Sequence, residues 1–223
     1  MKERVVLFIG IVAAVAAIGA GEKPPAKKDP DMVKCANLIY AGSKSSVCFS
    51  DKFLDTVRRE TNCQPEGKFA PVKLASQEMY NFPFAIMTGE GRFTLREQER
   101  KNLKSYLTRG GFLLASAGCS SNEWNISFRR EIAKIFPDKK LKKIEMSHPI
   151  FHTVFDISSI RLKRGGTTKL EGLVIDGKIV LIYSSEGLND TPNAGRGCCC
   201  CGGNEIKNSQ EINVNIFTYA LTH

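Results

Sequence analysis

Histidine is scarce in this chain: His148, His152 and His223 are the only three. Any imidazole base must come from these, and no complete set of nucleophile, base and orienting group can be drawn from the sequence. Long apolar runs are also absent. The run Val5–Ile18 is short for a membrane span, which takes roughly 20 residues. No cysteine follows it closely, which argues against a lipoprotein. No internal repeat is present, and 223 residues suffice for one ordinary domain with a sizeable core. Acidic residues are the minority, 23 against 32 lysines and arginines, giving a net charge of +9.

The amino terminus reads as a secretory signal over residues 1–20. Lys2 and Arg4 are its charged start, Val5–Ile18 its apolar core, and Gly19, Ala20 and Gly21 the small residues that follow. The alternative is a segment kept as a membrane anchor. Cleavage would lower the net charge to about +8. The expected location is extracytoplasmic, periplasmic or secreted, where disulfides persist. There a basic surface points to an anionic envelope polymer, an acidic partner protein or plain solubility, and not to nucleic acid. Residues 21–32 form a Pro- and Lys-rich linker.

The domain proper is expected over residues 33–223. Lys34–Tyr40 reads as a strand, Asp51–Thr61 as a helix with Phe53, Leu54 and Val57 as its stripe, and Pro71–Leu74 as a second strand. A third strand opens at Pro83 (PFAIMTG) and a fourth runs Phe112–Ala115. Between them lies a helix with Leu95, Leu103, Tyr106 and Leu107 on its buried face. Thr94 and Glu97 give it T-x-x-E capping-box spacing. Ser120 or Ser121 caps a further helix lined by Trp124, Phe128, Ile132 and Ile135. Two such strands joined by an amphipathic helix require a parallel sheet covered on both faces. Lys142–Met146 suggests a strand. Leu170–Ile175 and Lys178–Tyr183 flank Asp176-Gly177, a two-residue hairpin signal, and Ser209–Leu221 reads as a closing helix. The fold class is therefore α/β, a mostly parallel sheet with an added antiparallel hairpin.

The stretches MTGEGRFTLREQERKNLKSYLTRGGFLLAS, FRREIAKIFPD, SHPIF, LEGLVIDGKIVLIYSSEGL and NVNIFTYALTH together resemble the bacterial domain-of-unknown-function 4159 family, DUF4159. The resemblance runs from about Val33 to His223. It implies a flavodoxin-like, three-layer sandwich similar to the class I glutamine amidotransferases, and it implies no particular activity.

Three places could carry chemistry. Cys119 stands between an apolar strand and a helix, whose N-terminus favours a thiolate. The comparison with the amidotransferases puts their nucleophile there, and MTGEG where they have an oxyanion loop. AGCSS departs from G-x-C-x-G, however, and the late His-x-Glu pair is missing. His148 is the candidate base for Cys119; otherwise His-Pro shapes a turn, and Cys119 is a small turn residue or half of a disulfide. The loops Gly89-Glu90-Gly91-Arg92 and Ser120-Ser121-Asn122 would lie side by side at the strand ends, where open α/β sheets bind ligands. Their backbone N–H groups suit a small anionic ligand, although every parallel sheet has such loops. Cys198 and Cys201, within RGCCCCGG, have C-x-x-C spacing and could form a disulfide, hold a metal or stay reduced. Eight cysteines in an exported chain favour disulfides. Arg161–Gly166, and Arg129 and Arg130 beside Glu131, read as solvated surface or ion pairs.

The expected function is a non-catalytic ligand-binding or assembly domain of the cell envelope, with no cofactor. Its partner would be an envelope protein or a small anionic ligand. Membrane contact would come only through an uncleaved signal segment. The alternatives are an amide or ester hydrolase using Cys119, and a metal-binding protein using Cys198 and Cys201.

Overall fold

A computed structural model describes residues 32–45, 48–190 and 206–223. The expected signal segment, the linker up to residue 31 and Cys198–Cys201 lie outside the described residues. In chain order the elements are β1 (Cys35–Ile39), α1 (Phe53–Glu60), β2 (Ala70–Lys73), β3 (Phe84–Gly89), α2 (Glu97–Thr108), β4 (Phe112–Ala117), α3 (Asn122–Ile135), β5 (Lys142–Lys143), β6 (Ile160–Arg161), β7 (Thr167–Thr168), β8 (Glu171–Ile175), β9 (Lys178–Ser184) and α4 (Ser209–Thr222). Short 3-10 turns occupy Gln77–Asn81, Gly118–Ser120 and Pro149–Phe151.

Seven strands form one sheet in the order β2-β1-β3-β4-β9-β8-β5. The first five are mutually parallel; β8 runs antiparallel to β9, and β5 antiparallel to β8. β6 and β7 make a separate two-stranded antiparallel piece. The molecule is thus a mixed α/β sandwich with a mostly parallel sheet, as its covered apolar strands require.

Alternation along each strand builds two cores. Ala85 and Met87 of β3 face a cluster with Leu103, Tyr106 and Leu107 of α2 and Trp124, Phe128 and Ile132 of α3. Phe84 and Ile86 face the other side, against Phe53, Leu54 and Val57 of α1 and Ile212, Ile216 and Phe217 of α4. Each such large side chain, fully buried, contributes about 1.5–3 kcal/mol. The β8–β9 turn is the expected Asp-Gly hairpin: Asp176 (φ 49°) and Gly177 (φ 80°) both adopt left-handed backbone.

Three expectations are corrected. The capping box is not Thr94–Glu97. Leu95 is drawn into the core, so the chain stays extended to Arg96, and the Glu99 carboxylate accepts from the Arg96 N–H at 2.7 Å. Thr94 Oγ1 instead accepts from Arg130, 3.2 Å away. The fourth strand continues to Ala117, because Ser116 is fully buried and hydrogen-bonded rather than ending the strand. The strand expected over Lys142–Met146 is only Lys142–Lys143. Among the described residues it pairs with Glu171 and Gly172 alone.

Candidate functional site

The carboxyl ends of the parallel strands converge where the sequence placed the loops. Gly89, the last residue of β3, lies in register with Ala117, the last of β4, so the loops that follow are neighbours. Gly118 packs so tightly that a Cβ there would stand 2.9 Å from the Gly89 carbonyl oxygen. Cys119 (φ 50°) and Ser120 (φ 53°) then take consecutive left-handed conformations. This turn delivers Ser121 to the start of α3, where its hydroxyl accepts from the Trp124 N–H (3.3 Å) as the N-cap and from the Gly91 N–H (3.1 Å).

The two ligand loops therefore come together, and they are laced to each other. Arg92 pairs with Glu123 across the gap at 3.2 Å. Ser120 Oγ accepts from the Gly187 N–H at 3.2 Å, and its side chain also bonds Glu186. Glu90 Oε1 lies 3.0 Å from the Cys119 sulfur. Asn122 is exposed in the first turn of α3. The surroundings of this helix end include two carboxylates, Glu90 and Glu123, which oppose an anion.

Beneath the loops is a polar layer that sequence reasoning did not single out. Ser116 accepts from the Leu188 N–H (2.8 Å) and donates to the Glu186 carbonyl (3.3 Å). Thr88 donates to Asn189 Oδ1 (3.4 Å), and Asn213 Nδ2 of α4 donates to the Leu188 carbonyl (2.9 Å). Thr88, Ser116, Asn189 and Asn213 are all essentially inaccessible. They tie the segment after β9, residues 185–190, over the ends of β3 and β4. Glu186 in that segment forms a two-point pair with Arg164, at 3.0 and 2.8 Å. Burial works against its charge, but Arg164 and Ser120 hold its carboxyl below the ordinary value. A hydroxyl inside an apolar strand, as in FAIMTG and FLLASA, was the available sequence signal for this layer.

An aromatic lock supports the site from the α2–α3 side. The Trp124 indole N–H donates to Tyr40 Oη at 2.6 Å, and the Tyr40 hydroxyl donates to the Thr88 carbonyl at 3.1 Å. Burial pushes the Tyr40 phenol up to about 12, with the Trp124 hydrogen bond opposing it. Trp124 also stacks on Phe128, ring centroids 5.0 Å apart.

The structure does not bring Cys119 and His148 together. The His148 ring packs edge-on to Tyr219, 5.5 Å between centroids. Tyr219 borders a cleft with Gly110, Gly111 and Phe112, at the amino end of β4. Cys119 follows the other end of that strand, so the two are separated by roughly 20 Å at 3.3 Å per residue. His148 instead shapes a turn: its Nδ1 accepts from the Ile150 N–H at 3.2 Å. Cys35, Cys48 and Cys63 are thiols, and Cys119 is not among them. Cys198 and Cys201 lie outside the described residues. Among the described residues no group of three or more His, Cys, Asp or Glu side chains is arranged to hold a metal ion.

A family model described as a domain of unknown function, DUF4159, matches residues 35–221. The chain belongs to the DUF4159 family. No curated protein matches it in sequence. The matched span runs from the first residue of β1 to the last turn of α4, so this DUF4159 domain includes the whole seven-stranded sheet. Among its described residues no helix is long and apolar enough to cross a membrane.

Proposed function

We propose that this DUF4159 protein is exported and serves the cell envelope as a non-catalytic domain for ligand binding or assembly. The observation that carries this reading is the state of the crevice at the carboxyl ends of β3 and β4. Thr88, Ser116, Asn189 and Asn213 bond one another or the segment after β9, and the Glu90 carboxylate, not an imidazole, stands against the Cys119 sulfur. The order of the five parallel strands, β2-β1-β3-β4-β9, supports a flavodoxin-like sandwich of the class I glutamine amidotransferase type. That order is the 2-1-3-4-5 arrangement of such sheets. Of the two roles, assembly fits the crevice better than capture of a small anion, because Glu90 and Glu123 flank it.

One observation favours the rival, a hydrolase acting through Cys119. Left-handed backbone at a non-glycine residue between a strand and a helix is a place where active sites store strain. The two readings part on the state of that sulfur, which we take to be half of a disulfide.

Alkylation and mass mapping of the mature protein, with and without reduction, tests the reading. The expected result is a chain beginning near residue 21, with Cys119 modified only after reduction. Fast alkylation of Cys119 below neutral pH, with amide or ester hydrolysis lost in Cys119→Ser, would overturn the non-catalytic reading. An intact leader in the mature protein would overturn cleavage, and protein retained in the cytoplasm would overturn export.

A further inference from the structure

His152 is held by both ring nitrogens. Nδ1 lies 2.5 Å from Asp156 Oδ1 and Nε2 lies 2.7 Å from the Met146 carbonyl oxygen. Both partners accept hydrogen bonds. A neutral imidazole has one N–H and can satisfy only one of them; the other nitrogen would turn a lone pair toward oxygen. Only the imidazolium donates to both. The two contacts close residues 146–156 into an arm around the turn Pro149–Phe151.

The inner side of this arm is fixed. Ile150 and Phe151 are buried. Asn215 of α4 accepts from the Val154 and Phe155 N–H groups (3.1 and 2.8 Å) and donates to the Phe155 carbonyl (2.8 Å). On the outer side the two ring contacts of His152 add to bonds from the Ile157 N–H to the Phe151 carbonyl (2.9 Å) and from the Thr153 hydroxyl to the Pro149 carbonyl (3.0 Å). Phe155 and Asp156 form one wall of a cleft of about 380 Å³, with Arg161 of β6 and Asn208 and Glu211 of α4 also lining it. Asp156 therefore both touches the His152 ring and borders the cleft.

We propose that His152 is a pH-operated latch on the 146–156 arm, closed when its imidazole carries both protons and released when it loses one. Asp156 is the charged group in contact with the ring. Among the described residues, other charged or titratable groups around the arm are Arg161 and Glu211 across the cleft, the Lys143–Glu145 pair before Met146, His148 on the turn, and Tyr219 and His223 at the end of α4 beside it. The Met146 carbonyl and then Asp156 raise the pKa of His152 above its ordinary value. A raised imidazole pKa stabilises the closed arm fully below about 6.5, and that stabilisation is lost as pH rises through the raised midpoint. Each unit of displacement makes the closed-to-open ratio tenfold larger on the acid side.

The test is NMR of the full chain between pH 5 and 9, following the His152 ring proton and the Thr153 and Asp156 amides, which lie outside the Asn215 clamp. The ring midpoint is expected above 6.5, with the two amides titrating in step. Asp156→Asn should move both midpoints down toward about 6.5. His152→Gln should abolish the amide transition while the protein stays folded. Amides that ignore the ring, or a midpoint unmoved by Asp156→Asn, would overturn the latch. A transition that survives His152→Gln but vanishes in His148→Asn would assign the effect to His148 and overturn it equally.

Discussion

Gly89→Ala should loosen the aromatic lock, and the geometry gives the size of the effect. A Cβ at Gly89 would stand 2.2 Å from Tyr40 Oη and 3.1 Å from Trp124 Nε1. Neither ring has room to withdraw. Tyr40 and Trp124 are fully buried, and Tyr40 packs edge-on against Phe93 at 5.0 Å. The hydroxyl must move by about 1 Å to reach ordinary contact, which breaks its bond to the Thr88 carbonyl or to the indole. Overpacking costs about 1–3 kcal/mol, and a buried group left unpaired costs about 1–3 kcal/mol. The lower chain entropy of alanine returns about 0.4–1 kcal/mol. The net loss lies between about 1 and 5.5 kcal/mol, centred near 3, a large share of the roughly 5–15 kcal/mol that holds a domain together. Trp124 is the only tryptophan in the chain, so its fluorescence during urea unfolding reports on this place, and the midpoint should fall without a change in slope. Tyr40→Phe supplies the internal check. With Oη gone, the nearest remaining obstruction is Trp124 Nε1, and Gly89→Ala should then cost less than about 1 kcal/mol. The double variant should thus be about 2 kcal/mol more stable than the sum of the single changes. Additivity within about 0.5 kcal/mol would refute the steric account.

Other consequences are open to measurement. Burial, and then the charge of Glu66, pushes the Cys35 thiol up to about 12; it should resist a thiol reagent at pH 8 until the protein unfolds, while half-buried Cys63 reacts first. Glu131 is 1% exposed, with Arg100, Arg130 and Lys134 at 3.5, 3.3 and 3.0 Å. Glu131→Gln should destabilise by about 2 kcal/mol in urea titrations, less than a fully buried pair because its three cations keep access to water. His148 should behave oppositely to His152. Burial, and then His223, lowers its pKa, so what it adds to stability is present above about 6.5 and lost as pH falls through the lowered midpoint. An NMR titration of its ring should place that midpoint below 6.5.

Most of the fold was legible because local signals agreed with one another. The apolar runs around Phe84–Gly89 and Phe112–Ala117 could be buried only in a parallel sheet, and Asp176-Gly177 announced its own hairpin. The misplacements occurred where tertiary contacts overrode a local pattern. Thr94-x-x-Glu97 has the spacing of a capping box, but the core claims Leu95, and a helix cannot begin until that side chain is placed. β6 and β7 have two residues each, too few for any period to register.

The candidate site was legible in its location and illegible in its chemistry, for one physical reason. Strand direction follows from pattern, so the meeting of the loops after Gly89 and Ala117 could be read in advance. Which end of the sheet a distant residue reaches depends on the path of every element between. His148 is 29 positions beyond Cys119, and the helix α3 in that interval returns the chain toward the amino end, where His148 lies beside Tyr219. The polar layer of Thr88, Ser116, Asn189 and Asn213 is spread over four elements, and no single stretch of sequence holds enough of it to form a motif. Its bonds are nonetheless what fix residues 185–190 across the strand ends. A function seated in this crevice must therefore either use the surface that layer presents or break the layer, and the cost of breaking several buried hydrogen bonds at once favours use of the surface.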